Sequence, residues 1–370
     1  MTINEAILAL GVVAVVGSFL EIYYEKELED SSADFIGFLQ KADFKVIEWI
    51  FLALEIITAG VFIVVALGLY LCRNKSIGGI AVILGLAGVC FASIMKMCFT
   101  HPRPVYAYKS LRPIECANDF GFPSGHSFSS GAVMFFLGYH WLKSPSEKLN
   151  KMLIIVISLL IVGIDRTYLG VHFYFQVVQG FVYSGLLVAI VLNHRVNKVI
   201  KRSLKNIQAL IYFHGFWIVF FIIATLLYNF RDAEMNIEWQ MIYKNKCNKD
   251  LTYENAIYKQ YNECTVAFSI LGFATGYFYS LNIPLPGISA HSIRISIGLS
   301  SVIGVVFIIL DGLAKYLLSS TFYIVITSIF KYAVALFISY FVPRVLERTI
   351  LGNNDLAAKV KLESIELNNK

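Results

Sequence analysis

The stretch Ile77–Pro104 reads IGGIAVILGLAGVCFASIMKMCFTHPRP. Its first 19 residues carry no charge. Lys96 ends that run, and Arg103 follows seven residues later between Pro102 and Pro104. An uncharged run of this length reads as a membrane span rather than a helix of a soluble core. A Lys at the end of such a run has a plain reading, with its stem buried and its amine snorkelling to the interface. The two prolines add to that. They stop the helix and fix the backbone on either side of Arg103. Two helical turns cover about 10 Å, so both cations can meet just outside the apolar layer.

Outward from this stretch the same pattern repeats. Ten candidate spans are expected, at about 6–24, 46–72, 77–99, 126–142, 151–170, 175–193, 208–228, 265–283, 294–313 and 321–342. Segment 35–45 is amphipathic and suits the interface. The expected fold class is all-α, a polytopic bundle of about nine to ten transmembrane helices. The expected organisation is an N-terminal hydrophobic segment with the interfacial helix over 1–45, a membrane domain over 46–345 and a polar tail over 346–370. Composition agrees: 57% of the 370 residues are hydrophobic and 15% charged. The first 24 residues lack a basic n-region, which favours a retained first span over a cleaved signal peptide.

The net charge of +6 comes from loops between spans, with no dense basic patch interleaved with aromatics. Nucleic-acid binding is therefore not expected. Basic residues gather on alternate loops: Lys143, Lys148 and Lys151, then Arg195, Lys198, Lys201, Arg202 and Lys205, then Arg344 and Arg348. The positive-inside rule puts loops 143–150 and 194–207 and the C-terminal tail in the cytosol. The opposite side holds the acidic run Glu25, Glu27, Glu29, Asp30 and Asp34, and the mixed loop 229–264. Six cysteines show no CxxC and no disulfide framework, although Cys247 and Cys264 share the loop 229–264 and either pair or stay free.

Two further segments fall on that same acidic side. Pro123-Ser124-Gly125-His126 turns a loop into the next span. A helix N-terminus offers free N–H groups to an anion, Gly125 permits close approach, and the Ser124 hydroxyl can add a donor. Arg166 ends the fifth span and His172 follows six residues later. An Arg at that depth needs an anion or a polar cavity. His172 and Gln176 are four residues apart, so on a helix the amide oxygen can accept the imidazole N–H and fix its tautomer.

Three cations and two histidines at helix mouths suit a phosphate ester. Lys96, Arg103, Arg166 and the backbone at Gly125 bind the phosphoryl oxygens. His172 is the nucleophile, and His126 protonates the leaving alcohol and then activates water. No metal or other cofactor is expected, because guanidinium and ammonium groups supply the charge. Glu48 and Glu55 are ionisable groups at membrane depth. They are expected to reach substrate hydroxyls, Glu55 above all, or to pair inside the bundle.

Lys96-x6-Arg103-Pro104, Pro123-Ser124-Gly125-His126 and Arg166-x5-His172 together resemble the three-part signature of the type 2 phosphatidic acid phosphatase superfamily, which includes the vanadium haloperoxidases. Two positions depart from it. Asp165 stands where that signature has Ser, and Gln176 where it has Asp. Gln at this position, within His172-Phe173-x-x-Gln176-Val177-Val178-x-Gly180, is similar to the glucose-6-phosphatase branch. That resemblance implies hydrolysis of glucose 6-phosphate at a lumenal site in the endoplasmic reticulum membrane. It also implies a sugar-phosphate transporter as partner. A lipid phosphate or prenyl diphosphate phosphatase is the alternative, and a non-catalytic membrane protein with a degenerate site is the third reading.

Overall fold

A computed structural model describes residues 2–41, 45–72, 74–142, 148–231, 233–281 and 320–345. It is all-helical, with no strand among the described residues. The expected span 294–313, the tail 346–370, loop residues 143–147 and the side chain of Glu55 lie outside the described residues.

The chain order is α1 (Ile3–Tyr23), α2 (Glu25–Gln40), α3 (Lys45–Cys72), α4 (Lys75–Phe99), α5 (Pro104–Ala107), α6 (Gly125–Trp141) and α7 (Lys148–Tyr168). It continues with α8 (Tyr174–Leu192), α9 (His194–Ser203), α10 (Ile207–Phe230), α11 (Ile237–Cys247), α12 (Tyr253–Cys264), α13 (Val266–Ser280) and α14 (Ser320–Leu336). A π-helical turn, Phe337–Phe341, extends α14.

Among the described residues, five segments are long and apolar enough to cross a membrane: Ile3–Tyr23, Lys75–Ala107, Tyr174–Leu192, Ile207–Phe230 and Phe322–Val345. Helix α3, at 28 residues, coincides with the span expected at 46–72, and α6 and α13, at 17 and 15 residues, with those expected at 126–142 and 265–283. Lys148, Lys151, Asp165 and Arg166 all lie within α7. Of the interfacial segment expected at 35–45, residues 35–40 belong to a longer helix, α2, which begins at Glu25. Loop 229–264 differs most from its expectation. It folds into α11 and α12, each started by an Asn or Thr side chain that caps a backbone N–H.

The interior is organised around α4, which packs against α3, α6, α12 and α13. Close approach depends on small residues. A Cβ on Gly88 would meet Ser129 Cα of α6 at 2.8 Å, and one on Gly180 of α8 would meet Ser124 O at 2.8 Å. Helix α1 packs on α8 through Ser18 and Tyr183, whose hydroxyls are 2.6 Å apart. Below it, Glu21 and Glu25 reach His101 Nδ1 at 3.1 and 3.4 Å. His101 is thus held in a buried acidic contact.

Helix α11 is tied to the loop after α4. Lys246 Nζ donates to the carbonyls of Val105, Tyr108 and Leu111 at 3.1, 2.5 and 2.6 Å. Cys247 is bonded to Cys116, and Cys264 is a buried free thiol. Of the two outcomes expected for Cys247 and Cys264, pairing with each other is therefore excluded. Cys264 is the buried last residue of α12, whereas Cys247 ends α11.

Candidate active site

The stretch that opens the sequence argument builds the first wall of the site. Helix α4 ends at Thr100, which is left-handed at φ 54° and whose N–H reaches Lys96 O. Pro104 at the first helical position starts α5. Lys96 and Arg103 are both buried.

The second wall is the start of α6. Ser124 is its N-cap, and its Oγ accepts from the backbone N–H of Ser127 at 3.4 Å and from Ser127 Oγ at 3.0 Å. Gly125 and His126 open the helix and face the cavity. Ser124 does not line the cavity, so its oxygen serves as a helix cap and departs from the expected phosphate donor.

The third wall is the turn from α7 to α8. Gly170 takes φ 71°, a conformation that suits glycine, and the turn brings His172 N to Arg166 O at 3.3 Å. Arg166 is held by its neighbour: Asp165 Oδ2 accepts from Arg166 Nε at 2.9 Å and from Nη2 at 2.7 Å. Asp165 therefore takes up an edge of the guanidinium that the Ser of the resembled signature would leave to other partners.

These walls enclose a cavity of about 290 Å³. Lys96, Arg103, Gly125, His126, Arg166 and His172 all line it. Gln176 does not, but lies directly behind His172. Its Oε1 is 3.2 Å from His172 Nδ1 and accepts the Phe173 N–H at 3.2 Å, while its Nε2 donates to Pro102 O at 3.0 Å. The two backbone partners fix which end of the amide is oxygen. Nδ1 must then carry the proton, and the Nε2 lone pair faces the cavity. Arg103 Nη1 lies 3.2 Å from that Nε2 and donates to Val171 O at 2.7 Å. Burial, followed by the charges of Arg103, Lys96 and Arg166, holds the His172 pKa well below its ordinary value.

Glu48 pairs with Arg112 at 2.6 Å, away from the cavity-lining set. It takes the structural side of its two expected roles.

Several site residues were not expected. Asp119, 1% exposed, stands among the cations. Its Oδ2 accepts from Lys96 Nζ at 3.0 Å, Arg103 Nη2 at 2.6 Å and Gln260 Nε2 at 2.7 Å. Its Oδ1 accepts from Lys259 Nζ at 2.8 Å. Despite its burial, Arg103, Lys96 and Lys259 hold the Asp119 carboxyl well below the usual carboxylate range. Lys259 and Glu263, one turn apart on α12, also line the cavity, as does Glu115. The available signal was the spacing of 259, 260 and 263 on an amphipathic helix, but it lay in a segment read as loop. Among the described residues no cluster of three or more His, Cys, Asp or Glu is arranged to hold a metal.

Residues 76–200 match the family model described as the PAP2 superfamily. The chain is also similar to phosphatidylglycerophosphatase B of Bacillus subtilis (strain 168), at 35% identity over 92 residues. That match covers 24% of this chain and 43% of the relative, so the chain spans under half of the relative's length. No solved structure matches. Both matches fall on the superfamily; neither reaches down to the glucose-6-phosphatase branch.

Proposed function

We propose that this protein is a membrane-bound phosphomonoesterase working through a phosphohistidine on His172. The observation that carries the reading is the convergence of Lys96, Arg103, Arg166, His126 and His172 on one cavity. Lys96 and the two guanidinium groups hold the phosphoryl oxygens, together with the α6 N-terminus at Gly125. His172 Nε2 attacks phosphorus. The P–O bond to the alcohol breaks, and His126 gives the leaving oxygen a proton. His126 then takes a proton from water as that water attacks the phosphohistidine, and phosphate leaves. Gln176 keeps the proton on Nδ1 throughout, so the attacking nitrogen stays available.

The substrate we favour is a sugar phosphate such as glucose 6-phosphate. Glu115, Lys259 and Glu263 in the cavity lining can exchange hydrogen bonds with hydroxyl groups, which a sugar carries and an acyl chain lacks. Gln176 and its flanking string support the same branch. The second reading is a lipid phosphate, favoured by the printed name of the Bacillus subtilis relative.

The site side is assigned to an oxidising compartment, the lumen of the endoplasmic reticulum. Supporting this are the charge bias of the opposite loops and the Cys116–Cys247 disulfide beside the site. A lumenal sugar phosphatase also requires a transporter that delivers its substrate.

The test is phosphate release in detergent-opened membranes, with wild type beside His172→Ala. Glucose 6-phosphate and a lysophosphatidate are offered separately. Release from the sugar phosphate alone, abolished by the substitution, is the expected result. Preference for the lipid moves the protein to the second reading. No His172-dependent release from either removes the phosphatase reading.

A further inference from the structure

Asp119 poses a problem for a phosphate site, because a fixed carboxylate among the phosphate's own cations repels the substrate. Its geometry suggests an answer. Arg103 presents two edges. Nε donates to Asp119 O at 2.9 Å and Nη2 to Asp119 Oδ2 at 2.6 Å. Nη1, on the other side, lies beside His172 Nε2. Asp119 thus grips Arg103 through Nε and Nη2, Nη1 is shared between Val171 O and His172 Nε2, and one Nη2 N–H is left for the phosphoryl group. Lys96 gives one of its three N–H groups to Asp119.

The charge count matters as well. Lys96, Arg103 and Lys259 surround this one carboxylate, and Arg166 is paired with Asp165. Two positive charges remain in the set around Asp119. Glu115 and Glu263, half-buried like Lys259, line the same cavity and offset part of that charge. Without Asp119 the set around it would rise to three. Oxyanions would then be held more tightly, and product phosphate would leave more slowly. Lys259 and Gln260 belong to α12, which lies outside the stretch matching the superfamily. Asp119, Lys96 and Arg103 lie within the matched stretch, so what α12 adds from outside it is the pair of donors Lys259 and Gln260.

We propose that Asp119 is a positioning residue that serves as a built-in counter-anion of the phosphate cradle, aligning Arg103 and Lys96 while tempering the cradle's hold on phosphate. This inference rests on the phosphatase reading above.

The test measures two things separately: the Kd for inorganic phosphate, and kcat and KM for glucose 6-phosphate and lysophosphatidate. Wild type, Asp119→Asn, Lys259→Gln and the double variant are compared in detergent. Asp119→Asn is expected to bind phosphate about tenfold tighter, as one charge removed beside a dianion implies, while kcat falls about a hundredfold. Lys259→Gln is expected to weaken phosphate binding, and the double variant, whose net charge equals that of wild type, to return towards the wild-type Kd. A merely structural role would weaken phosphate binding and turnover together. Weaker phosphate binding in Asp119→Asn, or a double variant weaker than Lys259→Gln alone, overturns the proposal. Should Asp119→Asn not fold, a double variant no tighter than Lys259→Gln overturns it. A wild type that binds phosphate but hydrolyses neither ester defeats the phosphatase reading instead, while the Kd comparison still judges the counter-anion.

Discussion

Replacing Gln176 by Met keeps the side-chain length and removes all three of its hydrogen bonds. The structure gives a magnitude for each loss. The bonds to Phe173 N and Pro102 O are buried, and each leaves a backbone group without its partner. A buried group left without a hydrogen bond costs about 1–3 kcal/mol. Two such groups give a loss of roughly 2–5 kcal/mol, after some relaxation. The third bond sets the tautomer of His172. Without it, Arg103 Nη1–H still faces Nε2 while nothing holds the proton on Nδ1, so the ring is free to turn or change tautomer. Losing the orienting partner of a catalytic His in other enzymes costs up to about 10⁴ in rate when that partner is a carboxylate. A neutral amide stabilises the charged ring less, so about 10²–10³ in kcat is expected here. The assay is steady-state hydrolysis in detergent beside thermal unfolding of the same preparation. Wild-type kcat in a folded Gln176→Met protein would refute the tautomer argument. An unfolding loss without a kcat loss would leave Gln176 as a structural tie only.

Other expectations follow from the same geometry. The lowered pKa of His172 means that its lone pair stays available as pH falls through the ordinary histidine value of about 6.5. The acid limb of kcat/KM assigned to it should therefore lie below pH 6.5, and a limb at or above that value contradicts the assignment. Gly121→Ala places a Cβ 2.5 Å from Pro102 O and 2.6 Å from Gln176 Oε1. It should displace the amide and lower kcat at least about tenfold. Unaltered kinetics in the folded variant would contradict the packing. Opening the Cys116–Cys247 bond frees a loop with a sequence separation of 131. The chain-entropy account puts the loss at up to about 5 kcal/mol, measurable as a lower unfolding temperature in reductant. No shift would mean that Lys246 and the α11 contacts hold the loop alone. A reporter fused after Lys205 should be cytosolic, and a lumenal reporter there would reverse the sidedness.

How much the sequence disclosed depended on the kind of signal. Apolar runs disclosed helices well. The expected spans at 77–99 and 175–193 fall on α4 and α8 within two residues at each end. The motif residues were legible because cations at helix mouths need an anion. Lys96, Arg103, Gly125, His126, Arg166 and His172 come together on one cavity. Asp119 was not legible, because its role depends on three cations reaching it from α4, the Arg103 loop and α12. Nor was the partner of Cys247, since spacing carries no information across so long a loop. Ser124 misled in a different way: a Ser before a helix caps it as readily as it binds an anion.

The most direct test is to trap the covalent intermediate. A ³²P-labelled phosphate ester is mixed with wild-type enzyme, quenched, and the protein is mapped by peptide. The account predicts an acid-labile, base-stable label on the peptide containing His172, absent from His172→Ala. Turnover with no label on that peptide, or a label that persists in His172→Ala, would contradict it.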